Sequence, residues 1–133
     1  MAKLILPAKM QSFESMMQFI EDGAKSQGFD VKDVNQIKIA AEEALVNVIN
    51  YAYHDEGGEV EINCDTKEGK GLVIEVIDRG APFDPTSIPE PDINAPIEDR
   101  RIGGLGVYMM QQLMDEVSYR RDGDRNILTL AKY

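Results

Sequence analysis

Glu43, Asn47, Asn50 and His54 follow one another at spacings of four, three and four residues. At about 100° per residue these spacings stack them as a narrow stripe along one side of a helix. Ile39, Ala40 and Val46 flank the stripe, so it is not an ordinary charged surface. Carboxylate and carboxamide oxygens are hard ligands of the kind Mg²⁺ accepts beside water and phosphate, so the stripe suits a divalent cation and an activated hydroxyl. The plainer reading is a solvated helix face. Further on, Asp78-Arg79-Gly80-Ala81-Pro82-Phe83-Asp84-Pro85 sets a carboxylate two residues before a glycine. Asp78 can accept a hydrogen bond from a ligand while the backbone at Gly80 approaches closely, although the same residue types also make plain turns. A third element, Gly103-Gly104-Leu105-Gly106, leads straight into a helical pattern. Converging amides and the positive end of a helix suit phosphate, and a hinge closing a loop is the alternative. Arg100 and Arg101 stand just upstream, where a guanidinium reaches a terminal phosphate or faces solvent.

These residues need elements to hold them. Lys3 to Leu6 reads as a short strand stopped by Pro7. Phe13, Met16, Met17, Ile20 and Ala24 recur at helical spacing, with Ser12 as N-cap and Gly28 as stop. A second helix is expected from after Asp30 to about Tyr53. Its Val34, Ile37, Ala41, Ala44, Leu45, Val48 and Ala52 form the core face, opposite the polar stripe. Val60, Ile62 and Cys64 alternate with polar residues as a half-buried strand, and Leu72 to Ile77 is apolar enough for a central one. Residues 79–103 hold five of the six prolines (Pro82, Pro85, Pro89, Pro91 and Pro96) and show no periodicity, the mark of either a functional lid or a disordered segment. A helix resumes at Val107, and Val117 to Arg121 pairs with Ile127 to Ala131 as a hairpin. The expected order is β-α-α-β-β-lid-α-β-β, one domain over 1–133. Its fold class is α/β (α+β): a two-layer sandwich whose mixed, mostly antiparallel sheet carries helices on one face.

Composition removes several functions. Lys and Arg number 14 against 24 Asp and Glu, and a net charge of −10 argues against nucleic acid and against an anionic membrane surface. One Cys and one His cannot build a zinc site or a disulfide framework. No apolar run approaches the roughly 20 residues of a spanning helix, and the N-terminal apolar stretch is too short for a signal peptide. The expectation is a cytoplasmic protein. Phosphate-loop and dinucleotide-binding glycine motifs are missing, as are the signatures of eukaryotic-type kinases. Met109, Met110 and Met114 read as core filler.

Taken in order, Glu42-Glu43-Ala44-Leu45-Val46-Asn47, Asp78-x-Gly80 and Gly104-x-Gly106 resemble the N-box and two glycine boxes of the Bergerat-type ATP-binding fold of histidine kinases, gyrases and heat-shock chaperones. Nearer still is the serine-protein kinase and anti-sigma factor family of bacterial partner-switching systems. That likeness rests on the box running to Pro85, on Gly104 through Val117, and on the ending Asn126-Ile127-Leu128-Thr129-Leu130-Ala131-Lys132. The resemblance implies Glu43 as general base and Asn47 as Mg²⁺ ligand, with Asn50 beside them on the nucleotide. It implies Asp78 on the adenine amino group with Gly80 and Pro82 next to it. Arg101, Gly103, Gly104, Leu105 and Gly106 fall at the phosphates, and Thr129 in the adenine pocket. Pro82 departs from the wider superfamily, which has glycine there. His54 is not expected to accept phosphate, since no dimerisation and acceptor helix precedes it.

The resemblance implies an ATP-dependent serine/threonine kinase using ATP/ADP and Mg²⁺, with a lid at 79–103. Its substrate would be an anti-anti-sigma (STAS-domain) protein, with a sigma factor competing for the kinase, and a homodimer is the family's habit. Two other readings fit the residues: an anti-sigma binding module that holds nucleotide without turnover, and an ATPase subunit serving another protein.

Overall fold

The computed structural model describes residues 2–53, 57–82, 84 and 104–133. Strand β1 (Ala2–Pro7) leads into helix α1 (Met10–Ser26) and helix α2 (Val31–Asn47), which continues as a π-helical turn over Val48–Ala52. Strands β2 (Glu59–Lys67) and β3 (Lys70–Asp78) precede helix α3 (Gly104–Leu113). Strands β4 (Glu116–Asp122) and β5 (Arg125–Lys132) complete the order. The sheet runs β1-β2-β3-β5-β4, and every neighbouring pair is antiparallel, where a mixed sheet was expected.

Local chemistry accounts for the boundaries. Helix α1 begins two residues before the expected N-cap, because the Ser12 N–H already donates to the Lys9 carbonyl at 2.9 Å. It stops at Gly28, whose φ of +83° is the left-handed geometry that a side chain resists. Asp30 caps α2 by accepting from the Asp33 N–H at 2.8 Å. The β2–β3 hairpin turns through Glu68 and Gly69, both left-handed (φ +53° and +76°), a pairing whose twist matches that of the strands.

All three helices lie on one face of the sheet. Met16, Ile20, Ile37, Leu45 and Met110 meet Ile62, Ile74 and Leu130 there, with α2 packed between α1 and α3. Alternation decides which strand residues join that core: Leu72, Ile74, Val76 and Asp78 share the helix side of β3, and Val73, Glu75 and Ile77 the other. Cys64 lies in this core, and burial pushes its thiol up to about 11. It is a packing residue, not a nucleophile.

Candidate functional site

A cavity of about 230 Å³ opens between the end of α2 and the helix side of β3, β5 and β4. Its apolar surfaces come from Ala44, Val48, Ala52, Val76 and Leu128, its aromatic ones from Tyr51 and Tyr119. Asn47, Asp78 and Asn126 are its polar groups, and Ala81 and Pro82 close one side. A flat ring with one outward-facing amine suits such a slot.

Asp78, the last residue of β3, lines the cavity and is only 7% exposed. The Gly80 N–H donates to Asp78 Oδ1 at 2.8 Å, and Asn126 Nδ2 donates to the same oxygen at 2.9 Å. Gly80 is obligatory for a steric reason, since a Cβ there would collide with the Ala52 carbonyl oxygen. The strand exit can therefore lie directly on the π-helical turn. Tyr53 stitches the same corner, donating to the Glu59 carbonyl at 2.6 Å and accepting from the Arg79 N–H at 2.8 Å.

The catalytic candidates stand on α2. Asn47 lines the cavity and is half-buried. Glu43, one turn earlier on α2 and so on the same side, is half-buried too. Burial raises its pKa above the ordinary carboxylate value, and the neighbouring charge of Glu42 adds to the rise. A carboxylate poised closer to neutrality is a better general base. Glu43 also reaches α3: a Cβ on Gly106 would strike its Oε2, so the bare glycine is what lets the carboxylate rest on the first turn of that helix. The Glu43–Asn47 part of the polar stripe is thus no solvated face: both residues are half-buried, the flanking Ala40 is fully buried, and α3 packs against α2.

The structure therefore brings Asn47, Asp78 and Pro82 to one cavity, sets Gly80 at its strand exit, and places Glu43 beside Gly106 where Gly104-Leu105-Gly106 opens α3. Two expected residues stand elsewhere. Asn50 is exposed and off the cavity, because the π-helical turn breaks the 100° periodicity and presents Tyr51 and Ala52 instead. Thr129 pairs with Glu75 and Ser118 on the sheet's far face, while its neighbour Leu128 and, one pleat further, Asn126 face the cavity. Arg101, Gly103, His54 and most of the expected lid lie outside the described residues. Sequence reasoning missed Tyr51, Tyr119 and Asn126; only the last carried a signal, as a carboxamide in line with Asp78 once the β3–β5 register is known.

Among the described residues no three His, Cys, Asp or Glu side chains converge to hold a metal. A cation here would take most of its ligands from phosphate and water, a habit of Mg²⁺, so the Asn47 carboxamide fits the share a protein supplies. No helix among them is long and apolar enough to cross a membrane.

Residues 6–132 match the model of the histidine kinase-like ATPase domain. The serine-protein kinase RsbW of Bacillus cereus (strain G9842) is 32% identical over 132 residues, covering 96% of this chain and 81% of that protein. The protein of the same name from Halalkalibacterium halodurans is 32% identical over 135 residues, covering 98% and 82%. Among solved structures, the RsbU and RsbW domains of Rv1364c from Mycobacterium tuberculosis superpose with a TM-score of 0.68 at 16% identity. That match covers 99% of this chain and 32% of that one. The histidine kinase domain from Erythrobacter litoralis EL346 follows with a TM-score of 0.57 at 21% identity, covering 96% and 65%. This chain thus spans about a third of the first structure and just under two thirds of the second. At such identities these two likenesses speak for the fold.

Proposed function

The chain belongs to the histidine kinase-like ATPase domain family, and from that premise we propose that it is a cytoplasmic, ATP-dependent serine-protein kinase and anti-sigma regulatory factor. Its substrate would be an anti-anti-sigma protein of the STAS type, with a sigma factor as competing partner. Residues 1–133 would work as one nucleotide-binding domain, paired in a homodimer. The observation that carries this reading is that Asp78 and Asn47 line one cavity while Glu43, a turn before Asn47 on α2, lies against Gly106 at the glycine-rich start of α3.

The chain's own residues then divide the work. Asp78 accepts a hydrogen bond from the adenine amino group, while Val76, Leu128 and Ala44 sandwich the ring and exclude water. Asn47 would hold Mg²⁺, which would neutralise phosphate charge when bound. The start of α3 offers free amides to the phosphates. Glu43 takes the proton from the substrate serine as its oxygen bonds to the γ-phosphorus and the bond to the β-phosphate oxygen breaks, releasing ADP. Such a transfer rests on positioning and charge stabilisation, so few protein groups suffice. The test is transfer of labelled γ-phosphate from ATP to a STAS-domain protein, beside a calorimetric titration with ADP and Mg²⁺. Label on the serine supports the proposal. Nucleotide binding with no transfer supports the binding-module alternative, and no binding at millimolar nucleotide ends both.

A further inference from the structure

Asn126 does more than line the cavity. Its Nδ2 donates to Asp78 Oδ1 at 2.9 Å, to the Ala81 carbonyl at 2.9 Å and, more weakly, to the Gly80 carbonyl at 3.3 Å. Its Oδ1 accepts from the Tyr119 hydroxyl at 2.6 Å and from Arg121 Nη1 at 3.2 Å. Arg121 Nη1 also donates to the Gly80 carbonyl at 2.8 Å. The partners leave no choice of amide orientation, because three acceptors face one end and two donors the other. The group is 6% exposed, so each bond is made away from competing water.

The consequence falls on Asp78. Two N–H groups already occupy its Oδ1, and both are held by β5 and by the strand exit. The carboxylate cannot rotate without breaking them, and among the described residues no hydrogen bond engages its other oxygen, which is available to a ligand. An ionised carboxylate only accepts, so whatever meets that oxygen must bring a donor. We infer that Asn126 is a positioning residue for nucleotide selectivity: it fixes the Asp78 carboxylate so that a purine bearing a 6-amino group is held and one bearing a 6-oxo group is refused. The same amide ties down the carbonyls of Gly80 and Ala81, so the start of the segment expected as a lid is anchored to β5. This inference rests on the nucleotide-binding reading above.

The experiment compares ADP with inosine diphosphate, whose base carries an oxo group in place of the 6-amino group and a hydrogen on N1. The wild type should prefer ADP by about tenfold or more, the worth of a hydrogen bond to a charged group. Asn126→Ala should lose most of that preference through weaker ADP binding, with inosine diphosphate little changed. Asn126→Asp sharpens the point. It sets a second carboxylate against Asp78, with Arg121 and Tyr119 on its other side and the Tyr51 ring across the cavity. ADP binding by this variant should be weak at pH 8 and recover on acidification, since a protonated Asp can donate where Asn126 did. The wild type should show no such recovery. Tyr119→Phe removes one support of the amide and should cut the preference two- to threefold; if the Asn126 variants do not fold, this variant decides. Equal losses for both nucleotides, or an unchanged preference in every variant, would overturn the inference. A wild type that binds neither nucleotide overturns the nucleotide reading instead.

Discussion

Asp78 and Glu43 are the two carboxylates of the proposed site, yet the chain treats them in opposite ways. Asp78 ends a central strand, is nearly inaccessible, and receives two N–H donors on a single oxygen. Glu43 stands on a helix, is half-buried, and among the described residues has no hydrogen bond holding its carboxylate; apolar surroundings and a like charge raise its pKa. A group that must recognise a ligand needs one fixed orientation. A group that must accept a proton needs a raised pKa and no competing donor. Breaking each end should therefore give a different kind of failure.

The largest failure belongs to Glu43. Glu43→Gln keeps size and polarity but cannot accept a proton, so transfer to a serine substrate should fall about 10²–10⁴-fold. ADP affinity should change little. Equal losses of transfer and affinity would mean that the two ends are not separable. Gly106→Ala should imitate this variant through sterics, because its Cβ would push Glu43 aside and a displacement near 1 Å can cost about 10²-fold. Partial recovery in Gly106→Ala with Glu43→Asp, whose side chain is one methylene shorter, would tie the loss to the carboxylate's position. No recovery would assign Gly106 to the phosphates alone.

The recognition end should fail in binding. Asp78→Asn exchanges an acceptor for a group that can present a donor to the adenine amine. A hydrogen bond to a charged group is worth about 1.5–3 kcal/mol, so ADP affinity should drop about tenfold or more. Transfer measured at saturating ATP should fall far less. Calorimetry and single-turnover transfer on the same sample separate the two.

How far the sequence exposed each end follows from the periodicity that holds it. Glu43 and Asn47 lie on one α-helix, where spacing alone says they share a side, and both stand at the site. Asn50 lies three residues on, but the helix has become π-helical by then. Val48-Ile49-Asn50-Tyr51-Ala52 contains neither glycine nor proline to announce the change. Tyr51 therefore takes the place expected of Asn50. On β5 the difficulty is the pleat: a shift of one residue exchanges the faces, and only the β3–β5 register shows that Asn126 and Leu128 face the cavity while Thr129 does not. The Asp78-x-Gly80 spacing was legible because its reason is local, a strand end followed by a close approach. Asn126 was not, since the partner that defines its role is 48 residues away.

A gentler probe of the catalytic end is pH. As the proposed base, Glu43 would have to be ionised to act, and its pKa lies above the ordinary 4.5. The transfer rate should therefore rise tenfold per pH unit on its acid limb and level off at a higher pH than an unperturbed glutamate would give. In Glu43→Gln that limb should vanish from whatever rate remains. An acid limb centred on the ordinary carboxylate value would mean that Glu43 is not the titrating base.

The smallest effect concerns stability, and its sign is opposite to that of the activity loss. Burial disfavours ionised Glu43, so the folded chain holds this proton more tightly than the unfolded one. Between pH 4.5 and the raised folded value the native state binds more protons, and this residue's contribution to stability therefore declines as pH rises through that window. Below it both states are protonated and the contribution is level. Above it both are ionised, and the cost of the buried charge stays in full. Gln carries no such cost. Glu43→Gln should match the wild type near pH 4 and equal or exceed it at pH 8, by up to about 0.5 kcal/mol given the side chain's partial exposure. Urea midpoints at the two pH values measure the difference directly. Asp78→Asn should move the other way, because an amide oxygen is a weaker acceptor than a carboxylate for the two buried N–H groups that share Oδ1. If Glu43→Gln were instead the less stable variant at pH 8, the charge would be favourably held in the fold, and the contrast between a fixed acceptor and a strained base would collapse.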